Sequence, residues 1–448
     1  MHKEAHFSRV GYILAMAGSA IGLGTAWKFP TMVGLGGGFA FILVYLVLCL
    51  AIGAAAFLAE ALLGRATGRD TVGAIYELAP SAKRVWSIGG FFVFVSIMIV
   101  PFYLVVVGWI FYYAMLCMSQ LPTDPASAKE AFGYLASNNI FGVSMGFLIV
   151  FALSIYTILK GVKKGIEKLN LVLMPSLFIL LIALVTYSAI FGNFTGAVSF
   201  LFTPDLSKVL DADLLLKALG LAMFSMSLGM GTVCTYAANT DKFTNLFNSV
   251  FYIIVLNTMV GILMGLVVFS FIPIENASEG PGLIFVSLAS LFGSMGVAGQ
   301  IIGFAFFMAL IFAGITSAIS IIEPTALFLM NNAKVERPRA VAYCAVFILV
   351  VGFVCILSYY KPSAEVFTFF GKSFFDLLDY ITSIILMPLG ALFFCVFVGW
   401  VVPKSTLAEN LKHQMPKGVF EIWVWVIRII VPAAIISVGV YNFLNKLT

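Results

Sequence analysis

Charged residues are scarce in this sequence. Asp, Glu, Lys and Arg make up 10% of its 448 residues, whereas 62% are hydrophobic. This composition excludes a soluble globular domain of ordinary kind, in which about a quarter of the residues are charged. The net charge of +5 comes mainly from Lys and Arg in loops between apolar runs, so it requires no nucleic-acid partner.

Groupings of metal-ligating and nucleophilic residues are also missing. The three histidines, His2, His6 and His413, lie outside the long apolar runs. An enzyme acting inside a membrane would need nucleophile–base pairs or metal ligands, so no enzymatic activity is expected. The six cysteines lie within apolar runs or at their ends without paired spacing, which excludes a disulfide framework. They are Cys49, Cys117, Cys234, Cys344, Cys355 and Cys395.

Apolar runs, in contrast, are long and numerous. Eleven of them reach the length of about 20 residues that a helix needs to cross a bilayer. They cover roughly 10–33, 39–63, 87–118, 140–159, 169–190, 214–236, 245–273, 297–330, 340–360, 366–400 and 419–443. We therefore expect a single polytopic membrane domain over 1–448, with an outer loop at 274–296 that carries a short re-entrant helix.

The loops carry Lys and Arg unevenly. Most of these residues fall on the side that also holds the N-terminus. Because cytoplasmic loops are enriched in Lys and Arg, the N-terminus is predicted to be cytoplasmic. An odd number of crossings then places the C-terminus outside.

Two of the apolar runs are interrupted by glycine pairs. The first run contains AIGLG at 20–24 and the sixth contains SLGMG at 227–231. Each glycine weakens a helix by about 1 kcal/mol relative to alanine, and an opened helix in lipid must satisfy its freed backbone groups. Breaks at matching places in two halves are typical of secondary transporters that hold a ligand at mid-membrane. Close packing of small residues between helices is the alternative interpretation.

If the first and sixth runs correspond, runs 1–5 and 6–10 form two five-helix units of inverted orientation. Repeat 1 is then predicted at about 10–190 and repeat 2 at about 214–400. The run at 419–443 is an additional eleventh helix.

Several motifs carry a resemblance to a known family. They are GSAIGLG at 18–24 followed by WKFP at 27–30, FSMSLGMG at 224–231 with TY at 235–236, AGITS at 313–317, and Glu60 with GR at 64–65. From about Phe7 to Trp400 the chain resembles the neurotransmitter:sodium symporters, in particular the bacterial amino-acid branch with eleven helices. The resemblance implies the all-α leucine-transporter fold, with helices 1 and 6 unwound at mid-membrane.

The same resemblance implies the function. Members of this family import amino acids or amines with sodium by alternating access, so we expect a sodium symporter in a bacterial inner membrane. Its partners are the amino-acid substrate, sodium ions and the lipid bilayer, with no obligate protein partner.

Two sodium sites are implied by the resemblance. One would use oxygens of Gly18, Ile21, Ala313, Thr316 and Ser317. The other would use oxygens of Ala20, Thr25, Ser225 and Asn257, with Thr25 standing where an asparagine is usual. One or two sodium ions are therefore expected.

Chloride dependence stays open at the second sodium site. Relatives place an acid or a chloride ion beside this sodium, whereas this chain has Asn257 and Gly261 at the corresponding positions. Tyr45 and Ser225 are the residues that would complete a chloride site.

The implied substrate pocket is neutral. Amine-transporting relatives carry an aspartate at the position of Gly22, whereas a glycine leaves room for the carboxylate of an amino acid. Met230 can repack around different shapes, and no lining side chain is charged, so we expect large aliphatic or aromatic substrates. The implied lining residues are Ser19, Ala20, Gly22, Leu23, Gly24, Ile99, Tyr103, Phe224, Ser225, Ser227, Met230, Ser317, Ala318 and Ile321.

Gates are implied on both sides of the pocket. Lys28 and Asp379 would close an outer gate with Phe224 as its lid, and Lys in place of the usual Arg lacks the bidentate fork. Glu60 would accept hydrogen bonds from the broken part of helix 6.

The inner gate departs from the family pattern. Its basic residue is present as Lys3, but Asn331 stands in place of the partner acid, and His6 stands in place of a tryptophan. Inward opening is therefore expected to be easier than in relatives.

Two other transport mechanisms remain as alternatives. A proton-coupled amino-acid transporter of the same fold would use Glu60, Glu323 or Asp379 as proton carrier. A channel is the second alternative, but paired broken helices around a closed pocket fit alternating access better.

Overall fold

Nearly all of the described chain is helical. The computed structural model describes residues 6–240, 243–272, 281–416 and 418–444. Nine continuous helices in these ranges are long and apolar enough to cross a membrane, and a bent pair at the N-terminus makes a tenth. Lys3 lies outside the described residues.

In the described residues, these ten spans and the broken helix at 212–238 follow one another along the chain and are numbered α1 to α11. The first five are α1 (Arg9–Ala20 and Gly24–Leu35), α2 (Phe39–Thr67), α3 (Lys83–Leu116), α4 (Ile140–Leu159) and α5 (Val162–Phe191). The sixth, α6, consists of Ala212–Ser225 and Thr232–Ala238. The remaining five are α7 (Leu246–Phe271), α8 (Gly296–Asn332), α9 (Arg337–Tyr359), α10 (Phe374–Val401) and α11 (Val419–Tyr441).

Side-chain caps fix where several of these helices begin. The Ser8 hydroxyl accepts from the Gly11 amide at the start of α1. Asp211 and Asn245 cap α6 and α7 in the same way. Each cap satisfies one of the first four N–H groups of a helix, which have no partner inside the helix.

The connections between the membrane helices contain shorter elements. Short helices cover Thr71–Leu78, Pro125–Ser137, Phe194–Phe202, Leu283–Ser294 and Lys404–Leu411. The helix at Leu283–Ser294 falls inside the predicted outer loop, whose first part, 274–280, lies outside the described residues.

The predicted start of the tenth apolar run at 366 is wrong. Thr368–Phe369 pairs with Lys372–Ser373 in a two-stranded antiparallel hairpin, and α10 begins at Phe374. The Ser373 hydroxyl accepts from the Asp376 amide and so caps the helix at this point. Hydrophobicity alone does not distinguish a short exposed hairpin from a helix.

The break in α1 is short. The first half of α1 ends at Ala20, and the helix resumes at Gly24 with a bend of 64°. The Ile21 amide still bonds back to the Ala17 carbonyl at 2.7 Å, and the helical pattern restarts when the Ala26 amide bonds to the Gly22 carbonyl.

The break in α6 is longer and left-handed. Ser227, Gly229 and Gly231 have φ values of +55°, +83° and +78°. Residues other than glycine disfavour these left-handed backbone conformations. A Cβ on Gly229 would also collide with the Met387 carbonyl of α10, so the fold requires glycine at this position.

The interior of the bundle is built around α3 and α8. In the most apolar part of these helices, 78% and 83% of residues are buried inside the protein, compared with 28% in α5 and 33% in α11. Helices α3 and α8 therefore pack against the broken helices at the centre. Helices α5 and α11 expose most of their apolar surface, as lipid-facing helices do.

Candidate functional site

The two helix breaks meet at a small cavity in the centre of the molecule. Its volume is about 20 Å³, little more than one water molecule needs. The structure brings together here every implied pocket residue except Ala318, and adds Met387, which the sequence did not indicate. The lining residues are Ser19, Ala20, Gly22, Leu23, Gly24, Ile99, Tyr103, Phe224, Ser225, Ser227, Met230, Ser317, Ile321 and Met387.

A cluster of hydroxyls connects the inner half of α1 to α8 and α6. The Ser317 hydroxyl lies 3.0 Å from the Gly18 carbonyl and 2.9 Å from the Ser19 carbonyl, within donating distance of both. Ser320 donates to the Ser19 hydroxyl at 2.8 Å. The Ser227 hydroxyl donates to the Ser19 carbonyl at 3.1 Å. Neutral side chains thus satisfy carbonyls near the end of the first half of α1.

The other edge of the α1 break faces α3. The Leu23 amide donates to the Tyr103 hydroxyl at 3.2 Å. A Cβ on Gly22 would lie 2.5 Å from the Ser317 hydroxyl oxygen and 2.9 Å from that of Tyr103. Glycine at position 22 therefore keeps open a polar space between α3 and α8, at the N-terminal end of the second half of α1.

The residues implied in the second sodium site form one hydrogen-bonded network. The Thr25 hydroxyl lies 2.6 Å from the Asn257 amide oxygen and 3.2 Å from the Ala20 carbonyl. The Asn257 amide nitrogen donates to the Tyr45 hydroxyl at 2.8 Å, and that hydroxyl is 2.7 Å from the Ser225 hydroxyl. Thr25 therefore reaches both oxygens, although its side chain is shorter than that of asparagine.

The space beside this network is apolar. A Cβ on Gly261 would lie 2.8 Å from the Phe29 ring. The same ring packs edge-on against Tyr45 with centroids 5.1 Å apart. An aromatic ring therefore fills the space beside Gly261, the position at which the resemblance implies an acid or a chloride ion.

Four of the five residues implied in the first sodium site, Gly18, Ala313, Thr316 and Ser317, also lie together. The Thr316 hydroxyl lies 3.0 Å from the carbonyls of Phe312 and Ala313, the usual back-bonding of a hydroxyl in a helix. A Cβ on Gly18 would lie 3.0 Å from Thr316 Cβ, so α1 and α8 are in contact at this point.

An outer cavity of about 510 Å³ lies beyond the Phe224 ring. Phe224 lines both this cavity and the central one, and its ring lies 2.6 Å from the position of a Cβ on Gly24. Phe224, together with Leu23, Gly24 and Tyr103, thus lies between the two cavities.

Lys28 and Asp379 both line the outer cavity, but no ion pair joins them among the described residues. The Lys28 ammonium lies 4.2 Å from the centroid of the Phe224 ring, within the range of a cation–π interaction. Asp379 accepts from the Ser383 hydroxyl at 2.7 Å. The latch implied by the resemblance is therefore not formed in this structure.

Glu60 of α2 contacts the break in α6. Its side chain is buried, and one carboxylate oxygen accepts from the Gly229 amide at 2.8 Å. A carboxylate accepting from backbone N–H groups makes a charge-assisted hydrogen bond, which is stronger than a neutral one.

On the inner side the aromatic residue is Phe7 rather than His6. Phe7 is buried and packs on Tyr236 with ring centroids 5.1 Å apart, whereas His6 is exposed. The Phe7 amide also donates to the Asn239 carbonyl, which sets the register. His6, which the resemblance places where relatives have a tryptophan, therefore takes no part in this aromatic contact.

Other contacts lie at the same end of the bundle as Phe7. Asn331 donates to the Asp70 carboxylate at 3.1 Å, so it acts as a donor where relatives have an acid. The Ser8 hydroxyl donates to Glu167 of α5 at 2.5 Å. Glu323 pairs with Arg337 at 2.6 Å, and both side chains are buried.

An all-helical membrane protein with its first and sixth helices opened around a central cavity is a secondary transporter. The chain belongs to the sodium:neurotransmitter symporter family, whose model matches residues 3–139 and 129–447. Members of this family are sodium-dependent membrane transporters and not enzymes. The family, the leucine-transporter fold and the sodium dependence predicted from the sequence are thereby confirmed.

Individual relatives match over nearly the whole chain. The chain is 33% identical to YhdH, an uncharacterized sodium-dependent transporter of Bacillus subtilis, over 98% of this chain and 96% of the relative. It is 29% identical to an uncharacterized sodium-dependent transporter of Methanocaldococcus jannaschii, over 100% and 92% of the two chains. The structure is similar to the crystal structure of MhsT in complex with L-phenylalanine, with a TM-score of 0.86 and 34% identity over 98% and 99% of the chains.

Proposed function

We propose that this symporter imports neutral amino acids with large aliphatic or aromatic side chains. The observation that carries the proposal is the polar space at Gly22, between the Tyr103 and Ser317 hydroxyls. MhsT, which shares the fold at 34% identity, has been solved with L-phenylalanine. The N-terminus is placed in the cytoplasm and the C-terminus outside, in a bacterial inner membrane.

The space at Gly22 suits a carboxylate. The Leu23 amide and the Tyr103 hydroxyl already form one hydrogen bond, and both can turn to an anion. The outer half of α1 begins at Gly24, and the N-terminal end of a helix carries partial positive charge that favours anions. An aspartate at position 22 would place a fixed negative charge in the same space.

The opposite face of the cavity suits an ammonium group. Backbone carbonyls of Ala20, Phe224 and Ser225 border the breaks, and the Ser227 hydroxyl lies among them. These groups accept hydrogen bonds and carry no counter-charge, so a zwitterion is favoured over a simple amine. The two broken helices therefore supply separate partners for the two ends of an amino acid.

The remaining lining is apolar and adaptable. Ile99, Met230, Ile321 and Met387 carry no charge, and methionine fills spaces of irregular shape. The present volume of about 20 Å³ requires these side chains and Phe224 to move when a large substrate enters. An acidic or basic side chain would lose its hydration without a partner in this lining.

Sodium is proposed to bind where Gly18, Ile21, Ala313, Thr316 and Ser317 meet. Sodium is a hard cation that prefers oxygen ligands, and this region of α1 and α8 provides neutral oxygens. Each sodium ion moving down a potential of 100 mV releases about 2.3 kcal/mol, which supports about 50-fold accumulation of a neutral substrate.

A second sodium ion would bind at Ala20, Thr25, Ser225 and Asn257, with the substrate carboxylate as its counter-charge. The Phe29 ring beside Gly261 argues against an additional chloride ion. The Hill coefficient of the sodium dependence distinguishes one ion from two. Replacement of chloride by gluconate tests the chloride alternative, which predicts loss of uptake.

Proton coupling is less well supported than sodium coupling. Glu60 is bound to the Gly229 amide and Glu323 to Arg337, so two of the three proton-carrier candidates hold structural contacts. Asp379 lines the outer cavity, where it is remote from the inner solvent.

Uptake into proteoliposomes tests the proposal. Labelled tyrosine, tryptophan, leucine and methionine are offered with an inside-negative potential, in sodium or in choline at constant pH. We expect uptake of at least one of these substrates in sodium and none in choline. Uptake that follows a pH gradient in choline would favour the proton-coupled alternative instead.

The substitution Gly22→Asp tests the carboxylate position. Because the new side chain would fill the space between Tyr103 and Ser317, we expect amino-acid uptake and amino-acid-dependent thermal stabilisation to be lost. Gly220→Ala in α6 is the matched control, since a Cβ at position 220 meets nothing within 4 Å. Intact uptake by Gly22→Asp would contradict the proposed orientation.

A further inference from the structure

The Asn170 side-chain oxygen is one of ten buried side-chain nitrogen and oxygen atoms that have no hydrogen-bond partner among the described residues. Asn170 lies in α5 and is 0% exposed. Its amide nitrogen donates to the Ile166 carbonyl one turn earlier, at 2.9 Å. Its amide oxygen accepts no hydrogen bond from any of the described residues. Buried side-chain oxygens in proteins are nearly always satisfied, so an exception calls for an explanation.

The free oxygen is directed at the inner half of α1. A Cβ built on Gly18 would collide first with the Asn170 amide oxygen, and Thr316 Cβ would lie 3.0 Å away. The Asn170 oxygen, the Gly18 backbone and the Thr316 side chain therefore meet at one point. Three helices, α5, α1 and α8, contribute to this junction.

This junction contains the oxygens to which sodium binding is assigned above. The Gly18 carbonyl is already close to the Ser317 hydroxyl, at 3.0 Å, and the Ala313 carbonyl to that of Thr316. Because the Asn170 amide oxygen accepts no hydrogen bond from the described residues, it can bind a hard cation without losing one. The carboxylate nearest in sequence, Glu167, is turned towards Ser8 and Gly11.

We propose that the Asn170 side-chain oxygen is an additional ligand of the sodium ion bound between α1 and α8. This inference rests on the proposed sodium site. It makes α5 a third contributor to that site. Bound sodium would then hold the inner half of α1 against α5 and α8 together, in addition to the contact between Ser8 and Glu167.

A purely structural role for Asn170 makes a different prediction. Such a role would depend on the amide nitrogen, which donates to Ile166, or on the volume of the side chain. Asn170→Asp keeps the oxygen and nearly the volume but cannot donate to Ile166 when ionised. Asn170→Ala removes both functions.

The test measures sodium-dependent thermal stabilisation of the full-length protein purified in detergent, with choline keeping the ionic strength constant. Sodium-dependent uptake is measured in parallel. For Asn170→Ala we expect the half-saturating sodium concentration to rise about tenfold or more. For Asn170→Asp it should stay the same or fall. Ser188→Ala, which removes another buried back-bonding side chain of α5, should leave it unchanged.

Each other outcome has a defined meaning. Equal impairment of the Ala and Asp variants would assign a structural role to the amide nitrogen and overturn the inference. An unchanged sodium response of Asn170→Ala would overturn it as well. A wild-type protein that sodium neither stabilises nor drives would contradict the proposed sodium coupling itself. If Asn170→Ala does not fold, the sodium response of Asn170→Asp, expected to be unchanged or stronger, decides between the two roles.

Discussion

The breaks in α1 and α6 expose similar backbone groups but are held in different ways. Near the α1 break, the carbonyls of Gly18 and Ser19 are held by hydroxyls of Ser317 and Ser227. At the α6 break, the Gly229 amide is held by the buried carboxylate of Glu60. The first partners are neutral hydroxyls, and the second is an acidic side chain whose hydrogen bond is charge-assisted when the carboxyl is ionised.

This difference suggests a division of labour. A neutral hydrogen bond contributes about 1 kcal/mol net, whereas a bond to a charged group contributes about 1.5–3 kcal/mol. The α1 carbonyls can therefore exchange hydroxyls for a cation at small cost, while the α6 break keeps its shape. We infer that α1 is the half of the site that rearranges during transport and that α6 is the fixed half.

The largest expected effect comes from changing the shape of the α6 break. Gly229→Ala would place a Cβ at a φ of +83° and against the Met387 carbonyl. The left-handed conformation alone costs roughly 1–2 kcal/mol, and the backbone collision adds to it. We expect little or no monodisperse protein in size-exclusion chromatography.

Gly220→Ala is the control in the same helix, because it adds a methyl group where the backbone is regular helix. Position 220 has open space around a Cβ and lies within a regular helical part of α6. This variant should be as stable as the wild type or more stable by up to about 1 kcal/mol. If both variants lost stability to the same extent, α6 would tolerate no added methyl group, and the left-handed conformation at Gly229 would not be the cause.

The next effect concerns the charged partner. Glu60→Ala removes the acceptor of the Gly229 amide and leaves a buried N–H unsatisfied, which costs about 1–3 kcal/mol. Glu60→Gln retains a carbonyl oxygen that can accept the same bond. We expect a clear fall in melting temperature for the Ala variant and a smaller one for Gln.

The comparison between the breaks would fail if Glu60→Ala were no less stable than Ser227→Ala. Ser227 donates a neutral hydrogen bond to the Ser19 carbonyl, so its loss should cost about 1 kcal/mol. Melting temperatures of both variants in one detergent give the ranking directly.

The fold was largely predictable from the sequence, because the lengths of the apolar runs indicate membrane helices and the glycine pairs indicate where two of them break. The motifs at 20–24 and 227–231 mark both breaks, and the pocket residues follow from the family resemblance that these motifs carry. Met387 was missed because it lies in α10, far along the chain and outside any motif. Its contact with the cavity depends on how α10, at Gly390, packs against Gly229 of α6.

Side-chain pairing was less predictable than position. Lys28 and Asp379 line one cavity but do not meet, because the Lys28 ammonium lies over the Phe224 ring and Asp379 accepts from the Ser383 hydroxyl. Phe7 rather than His6 is buried because a backbone hydrogen bond to Asn239 fixes which way each side chain points. Nothing in the sequence around Asn170 indicates a role for its side-chain oxygen, because the groups that this oxygen faces belong to α1 and α8.

The smallest expected effect concerns the contact between the second half of α1 and the first half of α6. The Lys28 ammonium over the Phe224 ring joins the outer half of α1 to α6. A cation–π contact at a partly exposed site contributes about 0.5–1 kcal/mol. Lys28→Met should therefore raise the half-saturating substrate concentration by about two- to fivefold, measured as initial uptake rate at saturating sodium.

Lys28→Arg is the matched variant for the same position. Guanidinium also stacks on aromatic rings, and its fork can bind a carboxylate through two hydrogen bonds. If closure brings position 28 to Asp379, Arg should lower the half-saturating concentration, and Asp379→Asn should abolish that gain while leaving the Lys28→Met value unchanged. If Arg and Met behave alike, the charge at position 28 acts on neither Phe224 nor Asp379, and the outer half of α1 closes by packing alone.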